Sequence, residues 1–301
     1  VKKPSMLADI RGRVGRRGGK AWRAVSGALT TATLSLRGAK TSCPLTDPSN
    51  NVVVSLTSYG DRLRSVNLTI ESIGRGSTRP GRLILWTDPG VDVESLPWRL
   101  LRLRRRGLEV LPSPANFGPH TKYYPYALTF AGSAAPLVTA DDDSLYPRRW
   151  LRGLMIAARE SPEGIVCYRA HRVAFDEGGG LAPYNTWTSV RSTSPSLLHF
   201  ATGVSGVWYP PDFVVELARR GDEFLKRSPR ADDVWLHYVA VTSGRTIRQV
   251  GLRPKKFPEA ARTQKQALHR SNTALSQNDL QIEATYTADV VARLEKVGRE
   301  S

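Results

Sequence analysis

A mostly parallel sheet with helices on both faces is the architecture this 301-residue sequence predicts. Three observations predict it. Short apolar runs alternate with helix-like stretches from residue 52 onward, the pattern of repeated strand-helix-strand units. Two polar clusters, Thr57-Ser58-Tyr59 and Asp141-Asp142-Asp143, each follow such a run directly, as ligand-facing groups do at the carboxyl ends of parallel strands. The composition is 40% hydrophobic, enough to fill one large core.

The elements follow in order after the Pro/Asn/Ser-rich segment CPLTDPSNN, which ends the N-terminal region. VVVSLTS reads as a buried strand. RLRSVNLTIESI reads as an amphipathic helix with Leu63, Val66, Ile70 and Ile73 on one face. RLILWT is the next strand and completes a β-α-β unit, and GLEVL continues the series. The leucine-interrupted arginine run RLLRLRRRG before it reads as a surface helix or a strand edge. TKYYPYALTFA is helical in pattern apart from Pro125, and PLVTA is a short strand ending at the aspartates. Beyond them come a helix over 147–160, the strand GIVCYRA, a Gly-rich loop DEGGGLAPYNTW and the strand GVSGVWY. The helices DFVVELARR and DDVWLHYVAVTSG follow, then the strand TIRQV, a basic connection and a last helix from Asp279 to Val297. This organisation divides the chain into a basic arm (1–48), one domain (49–285) that splits after the aspartates into halves 49–146 and 147–285, and a C-terminal helix and tail (286–301).

The formal charge is +17, and its distribution is uneven. Residues 1–40 hold ten lysines and arginines against Asp9 alone, together with Trp22, Val25, Leu29, Leu34 and Leu36. That composition suits either a solvated arm or peripheral contact with an anionic membrane. Cys43 and Cys167 are far apart and show no zinc-type spacing, which fits a reducing cytoplasm. No run of 18 apolar residues is present to span a bilayer. The expected location is cytoplasmic, or peripheral at the inner membrane face.

Three adjacent aspartates in so basic a chain call for a counter-charge. In extended backbone, residues i and i+2 face the same way, so Asp141 and Asp143 can present two carboxylates to one cation while Asp142 faces elsewhere. Hard divalent cations, Mn²⁺ or Mg²⁺, prefer such oxygen donors. The alternative is helix capping by the same residues.

The ordered set VVVSLTSYGDR, GPHTKYYPYAL, LVTADDDSLYP, ATGVSGVWYPP, ADDVWL and TQKQALHRSN, spread over about residues 52–285, resembles the nucleotide-sugar glycosyltransferases of the GT-A fold. In particular it is similar to bacterial members that build surface polysaccharides or glycoconjugates. The resemblance implies a Rossmann-like sandwich, a nucleoside-diphosphate sugar donor with UDP-sugars favoured, and a glycan or lipid-linked acceptor, with 49–285 as the catalytic domain, 49–146 its nucleotide-binding half and 147–285 its acceptor half. It implies that Thr57, Ser58, Tyr59 and Arg62 line the base and ribose pocket, bordered by Asp141 and Asp142, and that Lys122 meets phosphate. Asp141 and Asp143 become metal ligands, with His269 as a candidate third. Gly203, Gly206 and Trp208 would lie under the donor sugar. Asp233 would be the base that takes the acceptor proton in an inverting transfer, with Asp232 orienting acceptor or helix. His120 and His237 read as capping or packing residues, and Asp279 as a polar group able to close over the diphosphate.

Two other classes compete. A metal-dependent nucleotidyltransferase or phosphoesterase would use the same carboxylates, but neither a Walker loop nor a dense His/Asp cluster is present. Nucleic acid is not an expected partner: the net charge alone suggests it, and no recognisable module accompanies that charge.

Overall fold

A computed structural model describes residues 31, 34, 41–130, 132–260 and 277–300. His269 and most of the basic arm lie outside the described residues.

The strands are β1 (Val53–Thr57), β2 (Arg82–Thr87), β3 (Leu108–Pro112), β4 (Leu137–Ala140), β5 (Ile165–Cys167), β6 (Ala170–Arg172), β7 (Thr188–Ser189), β8 (His199–Ala201), β9 (Val207–Tyr209) and β10 (Ile247–Gln249). Seven of them form the central sheet in the order β10-β5-β9-β4-β1-β2-β3. Only β9 in this sheet runs antiparallel, between β4 and β5. The remaining three form a small antiparallel sheet, β7-β6-β8, which the sequence pattern does not announce because its strands are two or three residues long.

Helices α1 (Val66–Gly74), α2 (Trp98–Arg104) and α4 (Trp150–Arg159) contribute to the core on one face of the central sheet. Helices α3 (Tyr124–Phe130), α5 (Pro211–Arg219), α6 (Phe224–Arg227) and α7 (Asp232–Thr242) contribute to the core on the other. Strand alternation builds both cores at once: Val53, Ile84 and Leu137 point into the second, while Val54, Leu83, Leu85 and Val138 point into the first. This two-sided burial is why the strands read as continuous apolar runs.

The expected C-terminal helix is two helices, α8 (Gln277–Thr285) and α9 (Ala288–Arg299), broken at Tyr286-Thr287. Tyr286, Val290 and Leu294 are buried against the α7 side, so this end of the chain is part of the domain core rather than a tail. The arginine run forms α2, with Leu100 and Leu103 buried. Pro125 sits in the first turn of α3, where its missing N–H costs no helical hydrogen bond. No helix among the described residues is long and apolar enough to cross a membrane.

Candidate functional site

The parallel strands deliver β1, β4 and β5 to a common carboxyl edge, and the polar groups gather there. β4 ends at Ala140, so Asp141, Asp142 and Asp143 leave the sheet as the chain turns toward α4. Asp142 is buried. Its carboxylate accepts the Ser58 hydroxyl at 2.7 Å and Arg62 Nε at 2.8 Å, while Thr69 Oγ1 donates to its carbonyl at 2.8 Å. A second bond from Arg62 Nη2 completes a forked pair, and the same nitrogen reaches Asp143 Oδ2 at 3.1 Å. The bonds to Asp142 hold the Arg62 guanidinium charged.

Asp141 and Asp143 remain partly open, with side chains 25% and 24% exposed. The Asp141 N–H donates to the Tyr146 hydroxyl at 2.8 Å, and Tyr146 stacks at 4.1 Å on Trp150. Burial, with the charges of Asp141 and Asp142 next in importance, pushes the Asp143 carboxyl up to about 6 against the opposing pull of Arg62.

Across the crevice, Asp232 and Asp233 open α7. Gly203 N–H donates to Asp233 Oδ1 at 2.8 Å. Burial and then the charge of Asp232 push the Asp233 carboxyl up to about 8, although Lys122 and the Gly203 N–H act in the other direction. Lys122 ends a 3-10 turn, Gly118–Lys122, and places its ammonium between the two acidic groups. The Lys122 Nζ is 3.3 Å from Asp141 Oδ1 and 3.0 Å from Asp232 Oδ2, the latter an ion pair without hydrogen-bond alignment. Burial disfavours its charge, but Asp232, Asp141 and Asp233 outweigh that penalty and hold it well above the usual lysine range.

A β-carbon on Gly203 would stand 3.1 Å from both Asp233 Oδ1 and Lys122 Nζ and 4.0 Å from Asp141 Oδ1. One small cleft therefore contains Asp141, Lys122, Gly203 and Asp233. Sequence spacing brings none of these together; the parallel topology does.

Several expected site residues have other employment. Ser58 is fully buried on Asp142, so neither its hydroxyl nor the Asp142 carboxylate lines an open pocket. Gly206 lies under Trp150: its φ is +92°, and a β-carbon there would approach the indole to 2.7 Å. The Trp150 N–H donates to the Ser205 carbonyl at 2.8 Å, locking that turn. Trp208 is a mid-sheet residue in register with Val138 and Val166 and packs against their core. Lys122 is paired with carboxylates rather than waiting at the start of a regular helix. Asp279 accepts the Tyr184 N–H at 2.7 Å and so ties α8 to the loop before β7. Thr57 donates to the Trp86 carbonyl at 3.2 Å, and exposed Tyr59 lies under the Arg62 guanidinium at 5.8 Å.

His120 and His237 are buried and hydrogen-bonded through both ring nitrogens. His120 Nε2 lies 2.8 Å from the Ser228 carbonyl, which can only accept, so Nε2 carries the proton and Nδ1 accepts from the Tyr123 hydroxyl at 2.8 Å. His237 repeats this arrangement with Leu197 O at 2.9 Å and the Tyr286 hydroxyl. Burial pushes both down to about 4.

Among the described residues no cluster of three or more metal-ligating side chains is present. Asp141 and Asp143 nonetheless suit a hard cation: they are open oxygen donors, and Asp143 is held above the normal carboxylate range partly by its acidic neighbours, a strain that a divalent cation relieves. Two protein carboxylates leave coordination positions for water and for phosphate oxygens of a ligand, as Mg²⁺ sites commonly do.

The sequence matches no protein-family profile and no curated protein sequence. Solved structures do resemble it. The mannosyltransferase PcManGT from Pyrobaculum calidifontis, in complex with GDP-Man and Mn²⁺, aligns with a TM-score of 0.50 over 93% of this chain and 78% of its own, at 15% identity. The fold is of the GT-A type. S. aureus TarS 1-349 aligns at a TM-score of 0.45 and 16% identity over 68% of this chain, which spans 59% of that TarS fragment. A 4-diphosphocytidyl-2C-methyl-D-erythritol synthase from Anaerococcus prevotii aligns at 0.46 and 12% identity over 76% of this chain and 99% of its own. Tyr146, which accepts the Asp141 N–H, Tyr184, which feels the charges of Asp233 and Arg169, and Arg169 itself have no local sequence signal. Arg169, whose Nη1 donates to Thr202 Oγ1 at 3.4 Å, lies in the turn after β5.

Proposed function

We propose that the protein is a metal-dependent glycosyltransferase that moves a sugar from a nucleoside-diphosphate sugar to a hydroxyl of a glycan or lipid-linked acceptor, with inversion. The observation that carries this reading is the placement of Asp233. It is a carboxylate of raised basicity, fixed by the Gly203 N–H at 2.8 Å, and a β-carbon on Gly203 would stand 3.1 Å from its Oδ1 and from Lys122 Nζ and 4.0 Å from Asp141 Oδ1. The fold shared with a mannosyltransferase that binds GDP-Man and Mn²⁺ supports it.

In this reading Tyr59, with the Arg62 face behind it, receives the base, and Thr57 borders the ribose. Asp141 and Asp143 would hold Mn²⁺ or Mg²⁺, and the cation would neutralise charge that grows on the leaving phosphate. Asp233 accepts the proton of the acceptor hydroxyl as that oxygen bonds to the anomeric carbon and the bond from carbon to diphosphate oxygen breaks. The proton ends on Asp233 and the electron pair on the nucleoside diphosphate. Gly203 fixes the carboxylate and keeps the space above it clear. Lys122 keeps Asp232 compensated, so that Asp233 remains the group that gains the proton. A UDP-sugar is the favoured donor class, and synthesis of a cell-envelope polysaccharide from the cytoplasmic side is the role that suits it.

The test separates binding from transfer. Isothermal titration with UDP and GDP, with and without Mn²⁺, is performed on wild type, Asp143→Ala and Asp233→Ala. Asp143→Ala is expected to lose metal-dependent nucleotide binding. Asp233→Ala is expected to keep it within about twofold while losing transfer by about 10²–10⁴-fold. Equal loss of nucleotide binding in both variants would sink the division of roles, and turnover of a nucleotide without sugar transfer would favour phosphoanhydride chemistry.

A further inference from the structure

The outward face of α2 combines an unburied indole with arginines. Leu100 and Leu103 are buried, whereas Trp98, Arg102 and Arg105, at i, i+4 and i+7, share the opposite stripe. Trp98 is 62% exposed, and the Arg99 guanidinium lies 5.3 Å from its ring centre. Of the acidic groups just before the helix, Glu94 pairs with Arg104 at 2.9 Å, and Asp92 accepts the Glu94 N–H at 3.0 Å; both stay exposed, against Arg99, Arg102, Arg104 and Arg105 on α2 and its C-cap. Arg99 and Arg105 are exposed and make no ion pair with a carboxylate among the described residues.

The N-terminal region joins the domain beside this helix. Arg102 Nη2 donates to the Thr41 carbonyl at 2.7 Å, and Arg106 Nε donates to the Cys43 carbonyl at 2.8 Å. The forty residues before Thr41 carry ten lysines and arginines against one aspartate.

We propose that this flank docks on an anionic lipid bilayer, with Trp98 as the interfacial anchor and Arg99, Arg102 and Arg105 at the headgroups. Tryptophan favours the boundary between hydrocarbon and water, where its ring is partly desolvated and its N–H stays wet. Arginines beside it meet lipid phosphates, an attraction that salt screens beyond a Debye length of the surface. A single-stranded nucleic acid would also use arginines and a ring, but such binding tracks the strand along a groove. This docking is independent of the catalytic reading.

The test is co-sedimentation of the full chain with vesicles of phosphatidylcholine alone and of phosphatidylcholine with about 30% phosphatidylglycerol. Wild type is expected to bind the anionic vesicles at least about tenfold better, with salt weakening the binding. Trp98→Ser and the pair Arg99→Glu with Arg105→Glu are each expected to reduce that binding about tenfold. Both sites are exposed, so circular dichroism and the melting temperature should stay unchanged. Arg219→Glu, an exposed change on α5, serves as the charge control and is expected to leave binding near wild type. Undiminished vesicle binding by both α2 variants, or a loss equal to that of the control, would overturn the proposal. So would preferential binding to single-stranded RNA that the same α2 substitutions abolish.

Discussion

Lys122 Nζ lies 3.0 Å from Asp232 Oδ2, and this contact joins the helix that carries the candidate base to the crevice wall that carries the candidate metal ligands. Its ammonium offsets three carboxylates, those of Asp141, Asp232 and Asp233, in a buried setting.

Lys122→Met should therefore be costly in two separable ways. Removing one partner of a buried ion pair leaves uncompensated charge, and a loss of about 3–5 kcal/mol in urea unfolding is expected. Asp233 also loses the ammonium that now lowers its pKa, so the acid limb of the transfer rate should move to higher pH. A stability loss with an unmoved pH profile would show that Lys122 supports the fold without acting on Asp233.

Asp233→Asn should trade transfer for stability. The folded-state pKa of Asp233 is about 8, above the ordinary value of 3.8, so between these values the folded protein holds a proton that the unfolded chain releases. Its contribution to stability is complete below the unfolded value and is lost as pH rises through that window. Asparagine keeps an acceptor for the Gly203 N–H and carries no charge. The variant's melting temperature should exceed that of wild type by a margin that grows from pH 5 to pH 8, measured by calorimetry without metal.

The buried histidines give the opposite slope. His120 and His237 titrate near 4 in the fold against about 6.5 in the unfolded chain, so the unfolded chain binds more protons in between. Their stabilisation is present above that window and lost as pH falls through it, by up to about 1.4 kcal/mol per pH unit for each group. Urea midpoints should fall from pH 7 to pH 5, and His237→Gln should make that fall shallower. An unchanged slope would exclude His237 as a contributor.

Two glycines separate structure from chemistry. Gly206→Ala forces a side chain at positive φ into the Trp150 indole and should cost about 1–3 kcal/mol, read as a lower melting temperature. Gly203→Ala meets Asp233 and Lys122 at 3.1 Å; its larger effect should be on turnover, with the melting temperature closer to wild type.

The parallel core strands and most helices were legible because both sheet faces are buried and the apolar runs are unbroken. Asp141, Asp143 and Asp233 could be named because acidic groups at strand or helix ends are conspicuous in a chain of charge +17. What the sequence hid was partnership. Ser58 and Asp142 looked like ligands, yet they are 84 residues apart and bonded to each other. Gly206 looked like a place for a sugar and is a place for Trp150. The small second sheet was invisible because strands of two or three residues carry no period, and the break between α8 and α9 falls within a stretch whose pattern continues across it.

The engagement of Asp142 has a further consequence. Through Ser58 and Arg62 it couples the loop after β1 to the loop after β4, so the two cannot shift independently. In the proposed enzyme a nucleobase that presses on Tyr59 and Arg62 would bear on the Asp142 carboxylate, and through it on the backbone between Asp141 and Asp143. Discrimination among bases and affinity for the cation then become linked equilibria, each altering the other by the same factor. The middle aspartate, which touches neither ligand in this scheme, is the point through which that linkage runs.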